Sequence, residues 1–179
     1  MQRAIVTGGA GFIGSNLVDK LIDMEFDVTI LDDLSTGKKE NINPKAKFIE
    51  CDLSTTSHTD LTFYINGADI VFHLAAMARV QPSIEQPVPF HNANVTGTHN
   101  LLVAARDMKV KRFVFSSSSS VYGNATIPTP EEHTMNPISP YALHKLIGEQ
   151  YCKLFSTLYD IDTVSLRYFN VYGNRMNLE

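Results

Sequence analysis

Residues 6–15 read VTGGAGFIGS, and this stretch decides the fold. Gly8, Gly11 and Gly14 are spaced as G-x-x-G-x-x-G, directly after an apolar run at 4–6 and at the opening of a helical pattern. In such a strand–turn–helix unit the glycines permit a tight turn, a close approach of the backbone to a pyrophosphate, and close packing of the helix on the strand. The N-terminus of the helix then faces the anion. The stretch therefore predicts a dinucleotide-binding loop at the edge of a parallel sheet.

The second apolar run ends in an acidic pair that suits the same kind of site. Asp32 lies 18 residues beyond Gly14, close to the spacing of about 20 residues expected for an acid on the adenosine ribose. A carboxylate there accepts hydrogen bonds from the ribose hydroxyls and repels a 2′-phosphate, so the pattern favours NAD over NADP. The nearby Lys38 and Lys39 would soften that preference. The alternative is that the glycines form only a tight turn and that Asp32 caps a loop.

Short apolar runs alternate with longer segments of helical period along the whole chain. This alternation is typical of an α/β fold with a doubly wound parallel sheet, the Rossmann fold, with about six strands and helices on both faces. The predicted strands are 4–6, 28–31, 47–50, 69–74, 112–116 and 163–168.

Three helices are predicted from apolar periodicity. The first carries Ile13 to Ile22 on one face, the second contains Val95 to Ala105 with Asn92 or Asn94 as its cap, and the third begins near Pro140 and reaches Leu158. Loops are predicted at 34–46, 54–60 and 123–138, where Ser, Thr, Asn, Gly and Pro are frequent.

Composition and charge exclude several other classes of protein. The chain has 179 residues, 44% of them hydrophobic, and a net charge of −4. Its basic clusters are short, so neither a nucleic-acid surface nor a membrane surface is expected. Cys51 and Cys152 lie 101 residues apart in no metal or redox spacing, which predicts free thiols, no metal site and a cytoplasmic location. No apolar run reaches the roughly 18 residues that a membrane span needs.

Tyr141 and Lys145 lie four residues apart in the third predicted helix, so they share one helical face. A phenol with a pKa near 10 is a poor base at neutral pH, and a neighbouring ammonium lowers that pKa. The pair can therefore form a general base. The alternative is a solvated pair on a helix surface, because Y-x-x-x-K also occurs by chance.

Several further motifs stand in a characteristic order: HLAA at 73–76, NVTGTHNLL at 94–102, SSSSSVYG at 116–123, YALHK at 141–145 and RYFNVYG at 167–173. With the glycine loop, they resemble the extended short-chain dehydrogenase/reductases over residues 3–174. Within these, the chain is most similar to the NAD-dependent nucleotide-sugar epimerase/dehydratase family, on the side of the UDP-glucose and UDP-N-acetylglucosamine 4-epimerases.

The resemblance implies roles for individual residues. Tyr141 would be the catalytic base, Lys145 its electrostatic partner, and Ser118, four positions before Tyr122, the third catalytic residue. The NAD site would comprise Gly8, Gly11, Phe12, Ile13, Gly14, Asp32, Asp33, Thr36, Gly37, Asp52, Leu53, Leu74, Ala75, Ala76, Asn94, Ser116, Ser117, Tyr141, Lys145 and Tyr168. The nucleotide-sugar substrate would face Ala78, Arg79, Ser118, Tyr141 and Asn170. For His73, His99 and His144 a place in the core or on the surface is favoured.

The serine tract favours epimerisation over related reactions. Dehydratases of the family carry Asp and Glu after the catalytic hydroxyl, since elimination of water needs a further acid and base. This chain has Ser119 and Ser120 there. The implied reaction is oxidation of a UDP-hexose at C4, with hydride passing to NAD and returning on the other face. The alternatives are another nucleotide-sugar dehydratase, reductase or decarboxylase, or a non-catalytic NAD-binding module.

The resemblance also predicts organisation beyond the single domain. Residues 1–179 would form the NAD-binding domain, with the smaller C-terminal nucleotide-sugar domain absent or truncated. A fragment of a longer enzyme and a naturally short form both stay open. An exposed apolar patch and self-association are expected. Relatives pair through helices equivalent to 92–107 and 140–158, which predicts a homodimer with a four-helix contact. The apolar residues around Leu101 and Leu154 are compatible with that contact, and core packing explains them equally well.

Overall fold

The protein is built on one six-stranded parallel sheet. A computed structural model describes residues 1–176, so residues 177–179 of the predicted domain lie outside the described residues. The strands are β1 (Arg3–Thr7), β2 (Asp27–Asp32), β3 (Lys47–Glu50), β4 (Ile70–His73), β5 (Arg112–Ser118) and β6 (Asp162–Tyr168). Their order is β3-β2-β1-β4-β5-β6. The predicted fold class and all six strands are confirmed.

The sheet order creates a crevice between two central strands. The chain runs from β1 outward to β3 and then returns to the other side of β1 to form β4. Ligands of open α/β sheets bind where the order reverses, outside the carboxyl ends of the strands. The ends of β1 and β4 meet there, with Thr7 paired to His73. The serine tract is also at this edge, since β5 stays in register with β6 as far as Ser118 and Tyr168.

The helices are unequally shared between the two faces. They are α1 (Phe12–Asp23), α2 (His58–Ile65), α3 (Val80–Glu85), α4 (Pro87–His91), α5 (Gly97–Asp107) and α6 (Pro140–Tyr159). One face packs on α2, α5 and α6 through a cluster that includes Ile5, Phe113 and Phe155. The other face packs on α1 through a smaller cluster that includes Val6 and Val18. The prediction of helices on both faces is confirmed.

The α1 face is left open over β6. Val164 and Leu166 are on this face and are 38% and 39% exposed. The predicted exposed apolar patch is therefore present. Of the two residues named for the dimer contact, Leu101 is fully buried in the core, which was the alternative explanation for it, and Leu154 is exposed.

Helix α6 begins as its sequence indicates. Pro140 occupies the first turn, where a missing N–H costs nothing, and the Ser139 side chain accepts a hydrogen bond from the amide of Ala142 at 3.1 Å. The prediction of a cap at Asn92 or Asn94 is wrong. Both lie in a wide π turn at Asn92–Thr96 that joins α4 to α5, and Asn92 is already helical at φ −59° and ψ −50°.

Helix α2 starts inside a segment that was predicted to be a loop. The Ser57 hydroxyl accepts a hydrogen bond from the amide of Asp60 at 3.1 Å and donates to its carboxylate, which closes a reciprocal N-terminal cap. The signal S-x-x-D before Leu61 could have revealed this helix. A short 3₁₀ turn at Lys39–Asn41 likewise interrupts the loop predicted at 34–46. Within residues 1–176, no helix has the length and apolar character that a membrane span requires.

Candidate active site

A cleft of about 310 Å³ opens at the carboxyl edge of the sheet, above the ends of β1, β2, β4 and β5. Most residues predicted to bind a cofactor line it: Gly8, Gly11, Phe12, Ile13, Gly14, Asp32, Asp33, Thr36, Asp52, Leu53, Leu74, Ala75, Ala76, Ser116, Ser117, Tyr141, Lys145 and Tyr168. Four further lining residues were missed, namely Leu31, Ser35, Cys51 and Ala93. Position at the end of a strand is a signal for Leu31 and Cys51, whereas nothing in the sequence marks Ala93.

The glycine loop brings backbone amides to the cleft. Gly8 adopts φ +69°, and a Cβ at this position would lie 2.7 Å from the amide nitrogen of Ala75. A Cβ on Gly14 would overlap the carbonyl oxygen of Gly8. Both glycines are therefore needed for the close packing of α1 on the turn. No side chain caps α1, so the first-turn amides of Phe12 and Ile13, two residues that line the cleft, have no intrahelical partner, as an anion site requires.

Asp32 is held rigidly at the end of β2. Its Oδ2 accepts a hydrogen bond from the amide of Ala10 at 2.9 Å, and its Oδ1 accepts one from Leu34 at 2.8 Å. Burial raises the pKa of the carboxyl, and these two hydrogen bonds oppose that rise. Each oxygen keeps a second lone pair for a ligand hydroxyl. Gly37 does not line the cleft but lies behind Asp32, where a Cβ would come within 2.8 Å of Oδ1.

The part of the cleft next to β3 contains a thiol. Cys51 follows β3, and burial raises its pKa to about 11. The thiol is therefore protonated at neutral pH and unreactive as a nucleophile. Cys51 and Cys152 are both free in the structure.

His73 is buried and neutral, because burial lowers its pKa to about 3. The Thr98 hydroxyl donates to the carbonyl of Asn94 at 2.7 Å and must therefore accept from Nε2 of His73 at 2.8 Å. Nδ1 then accepts from the Thr7 hydroxyl at 2.7 Å. The hydrogen bonds thus select one tautomer, and His73 is a fully bonded core residue.

The same network holds the loop that follows β4. The Thr7 hydroxyl accepts hydrogen bonds from the amides of Leu74 and Ala75 at 3.2 and 3.1 Å. Asn94 accepts from the amide of Met77 at 2.8 Å and donates to its carbonyl at 2.9 Å. Asn94 was predicted to contact a cofactor, but it is buried and positions Met77, while Ala93 lines the cleft.

Tyr141 and Lys145 lie together on the buried side of α6. The Lys145 ammonium donates to the carbonyl of Ser116 at 2.7 Å and lies 5.9 Å from the centre of the Tyr141 ring. Burial lowers the pKa of Lys145 to about 8. Burial also raises the pKa of Tyr141, and a hydrogen bond with Ser118 opposes that rise. The structure thus brings the three residues predicted to be catalytic together.

The serines of the tract have different environments. Ser118 accepts hydrogen bonds from the amide of Ser120 at 3.1 Å and from its hydroxyl at 2.9 Å. The Ser117 hydroxyl, in contrast, donates to the Glu149 carboxylate on α6. Ser116 receives the Lys145 ammonium at its carbonyl oxygen. The tract is therefore a strand end and not a linker.

A partly buried ion pair joins β6 to α6 near the tract. Arg167 donates from Nε to Oε1 of Glu149 at 2.9 Å and from Nη2 to Oε2 at 2.8 Å. Its Nη1 reaches the Tyr122 hydroxyl at 2.7 Å and the Glu131 carbonyl at 2.8 Å. The hydrogen bond with Glu149 raises the pKa of Arg167. Sequence reasoning missed this pair because its members are 18 residues apart and on different elements.

Comparison with known proteins agrees with this geometry. A model described as "NAD dependent epimerase/dehydratase family" matches residues 4–179. The chain belongs to this family.

Members of the family with assigned names are similar over nearly all of this chain. A protein of Methanocaldococcus jannaschii, provisionally named a UDP-glucose 4-epimerase, is 49% identical over 177 residues, which are 97% of this chain and 57% of that protein. The UDP-glucose 4-epimerase of Mycolicibacterium smegmatis is 41% identical over 98% of this chain and 58% of its own length. The chain thus spans little more than half the length of these relatives.

Solved structures of the family have the same fold. The UDP-N-acetylglucosamine 4-epimerase of Methanobrevibacter ruminantium, in complex with UDP-N-acetylmuramic acid, matches with a TM-score of 0.92 and 42% identity over 98% of this chain and 57% of that one. The UDP-glucose 4-epimerase of Thermus thermophilus, in complex with NAD, matches with a TM-score of 0.93 and 37% identity over 99% and 58%.

The residues predicted to face a substrate are less closely grouped in this family member. Ala78 lines the cleft, as does the neighbouring Met77. Arg79 lies outside the cleft wall at φ +92°, immediately before α3. Asn170 is exposed beyond the end of β6. The residues predicted to bind a cofactor are therefore grouped at the cleft more completely than those predicted to face a substrate.

Proposed function

We propose that the protein acts in NAD-dependent epimerisation of a UDP-sugar at C4, with Tyr141 as the base. The observation that carries the proposal is the grouping of Ser118, Tyr141 and Lys145 beside a cleft with a glycine-rich helix N-terminus. Relatives named UDP-glucose 4-epimerase support the choice of reaction. Since the chain spans little more than half of their length, the sugar is left as a UDP-hexose or its N-acetyl derivative.

The residues present fit NAD along the whole cleft. Amides at the start of α1 suit the pyrophosphate, and the lone pairs of Asp32 suit the ribose hydroxyls. Lys145 and Tyr168 lie at the opposite end, where the nicotinamide ribose and ring would lie. NAD would supply the hydride acceptor. The charge of the Asp32 and Asp33 carboxylates favours NAD over NADP.

Side chains of the protein would accept the proton that leaves the sugar 4-hydroxyl. Tyr141 would take the proton of the sugar 4-hydroxyl, and Ser118 lies beside Tyr141. Lys145, with a pKa of about 8, is mostly charged at neutral pH. Its ammonium, 5.9 Å from the Tyr141 ring, favours the phenolate electrostatically.

Ser119 and Ser120 support epimerisation over dehydration. Neither is an acid, and Ser120 donates its hydroxyl proton to Ser118. The tract therefore lacks the additional acid–base pair that elimination of water needs.

The replacement Tyr141→Phe tests the proposal. Purified chain, NAD and a panel of UDP-sugars are mixed, and 4-epimers are measured by chromatography. Loss of the base is expected to reduce turnover about 10²–10⁴-fold, while NAD affinity, measured by calorimetry, stays near that of the wild type. A control, Tyr159→Phe, changes an exposed tyrosine on the same helix. Full activity in Y141F, or NAD binding without epimer from any sugar in the wild type, would contradict the proposal.

We further propose that the protein forms a homodimer through α5 and α6. Support comes from three exposed apolar side chains of α6, those of Leu143, Leu154 and Leu158. A cytoplasmic location stays a prediction.

A further inference from the structure

Ser120 makes two hydrogen bonds to a single atom of its neighbour. Its amide and its hydroxyl both donate to Oγ of Ser118, at 3.1 and 2.9 Å. A serine hydroxyl has one proton to donate and two lone pairs to accept with. Ser120 therefore fills both acceptor positions of Ser118, and the Ser118 proton is left as its single remaining hydrogen-bonding group.

Tyr141 is the neighbour to which the Ser118 proton can be offered. Burial raises the pKa of the Tyr141 phenol and the Ser118 side chain lowers it. With both lone pairs of Ser118 occupied, its proton is the group that Ser118 can offer to the phenol oxygen. A donor directed at the phenol oxygen stabilises the phenolate, whereas an acceptor would stabilise the neutral phenol. The direction of this one bond therefore decides whether Ser118 helps or hinders Tyr141 as a base.

The backbone holds Ser120 in this arrangement. Ser118 is the N-cap of the 3₁₀ turn Ser119–Tyr122, which closes when the amide of Gly123 donates to the carbonyl of Ser120 at 3.1 Å. Val121 and Tyr122 are buried. The amide of Asn136 donates to the carbonyl of Val121 at 3.0 Å. The turn is thus anchored on both sides of the Ser120 side chain.

We propose that Ser120 is a positioning residue of the epimerase: by filling both acceptor positions of the Ser118 hydroxyl, it directs the Ser118 proton toward Tyr141. The inference rests on the proposed function, and it gives a specific role to one of the two serines that replace the acids of the dehydratases. Ser119 is a matched control, because within the described residues its side chain makes no hydrogen bond with Ser118 or Tyr141.

Other ionisable groups near the start of α6 are the same in all variants to be compared. They are Lys145 and His144 on α6, Tyr168 on β6, Tyr122 in the 3₁₀ turn, Glu85 on α3, His91 on α4 and Arg79 before α3. A difference between Ser120 and Ser119 variants therefore reports the hydroxyl of Ser120.

The test is the ionisation of Tyr141 in the NAD-loaded chain. Tyrosine is labelled with ¹³C at Cζ, its chemical shift is followed against pH, and Y141F assigns the signal among the seven tyrosines. Ser120→Ala lets Ser118 accept a proton from Tyr141, so the midpoint is expected to rise by about 0.5 to 1 pH unit, the effect of one hydrogen bond. Ser119→Ala and Ser120→Thr are expected to keep the wild-type midpoint. The acid limb of kcat/KM should shift in parallel with the S120A midpoint.

The outcomes separate this inference from the proposed function. An S120A midpoint equal to those of wild type and S119A would overturn the role of Ser120 and leave epimerisation standing. A wild-type midpoint that NAD fails to lower, with no epimer formed, would instead count against Tyr141 as the base. A shift in S120A that S120T fails to reverse would also overturn the role, because it would not depend on the hydroxyl.

Discussion

Lys145 places an ammonium group in the interior, where its side chain is 5% exposed and donates to the carbonyl of Ser116. Burial disfavours the charged form, which is why the pKa falls to about 8. The residue that would assist the base is therefore retained at a cost in stability.

Lys145→Met should stabilise the NAD-free chain at pH 7 by up to about 3 kcal/mol, because burial lowers the pKa of Lys145 from 10.5 to about 8 and each pKa unit corresponds to about 1.4 kcal/mol. Between pH 8 and 10.5 the folded chain binds fewer protons than the unfolded chain, so the wild type gains stability as the pH rises through that range. The difference in free energy of unfolding between K145M and wild type therefore becomes smaller. Urea unfolding at pH 7 and pH 9.5 measures both effects. Lys153→Met, at an exposed position of α6, is the control. A K145M chain less stable than wild type at pH 7 would contradict this account.

His73 affects stability at acid pH, whereas Lys145 affects it at alkaline pH. Its pKa is about 3 when folded and near 6.5 when unfolded, so the unfolded chain binds more protons between these values. The free energy of unfolding should fall as pH drops from 6.5 toward 4.5, by at most about 1.4 kcal/mol per pH unit. His144, whose pKa burial also lowers, contributes in the same direction. His73→Gln should be less stable at pH 7 but lose much of this slope, whereas His133→Gln should keep it; equal slopes would refute the assignment.

At the scale of elements, the contact of α6 with β5 brings the candidate catalytic residues together. A Cβ on Gly148 would overlap the ring of Phe115, which is buried in the core. The absence of a side chain at Gly148 allows α6 to lie close to the strand that carries the serine tract. The ion pair of Glu149 with Arg167, one residue further along the helix, holds the same helix against β6.

Gly148→Ala should therefore destabilise the chain by about 1 to 3 kcal/mol, as overpacking of a core does. It should also move α6 from β5 and lower the rate of epimerisation more than a stability loss alone would explain. Urea unfolding and the epimer assay at a temperature where the variant is folded measure these effects. Gln150→Ala, on the exposed side of α6, is expected to change neither. A G148A chain as stable as wild type would show that the Phe115 ring can move aside.

Elements with a strong local pattern were predictable, and those shaped by distant contacts were not. The six strands and α6 follow from apolar runs and from Pro140 at the start of the helix. The π turn at Asn92–Thr96 does not, because the asparagines that look like caps are satisfied elsewhere, Asn94 by Met77. Helix α2 was missed for a different reason, since its cap at Ser57 was visible but stood in a segment rich in loop-forming residues.

At the scale of the whole molecule, two of the surfaces with exposed apolar side chains are relevant to self-association. One is the sheet face at Val164 and Leu166, and the other is the stretch of α6 at Leu143, Leu154 and Leu158. Exposed apolar surface of this kind is typical of interaction sites. The second surface is the one on which the proposed homodimer depends.

Leu154→Glu should weaken self-association, because it places a charge in the centre of that surface. Sedimentation velocity over a range of protein concentrations is expected to show dimer for the wild type and mainly monomer for L154E. Ile127→Glu changes a fully exposed apolar residue in the loop at 123–138 and should leave the dimer intact. If L154E sediments with the same mass as the wild-type dimer, the proposed contact through this surface of α6 is wrong.

The sequence by itself determined the local features of the fold and of the site. They are six apolar runs that become strands, a glycine loop, an acid at the end of β2, and a tyrosine and a lysine one helical turn apart. Such features depend on neighbours within a few residues, so spacing and residue type reveal them. The tertiary structure alone decided which hydrogen-bond partners meet across the chain, such as His73 with Thr7 and Thr98, and Glu149 with Arg167. It also decided that Ser120 directs both of its donors to Ser118. Burial makes these pairings obligatory because an unpaired polar group is costly away from water, but no local pattern in the sequence says which partner will be near.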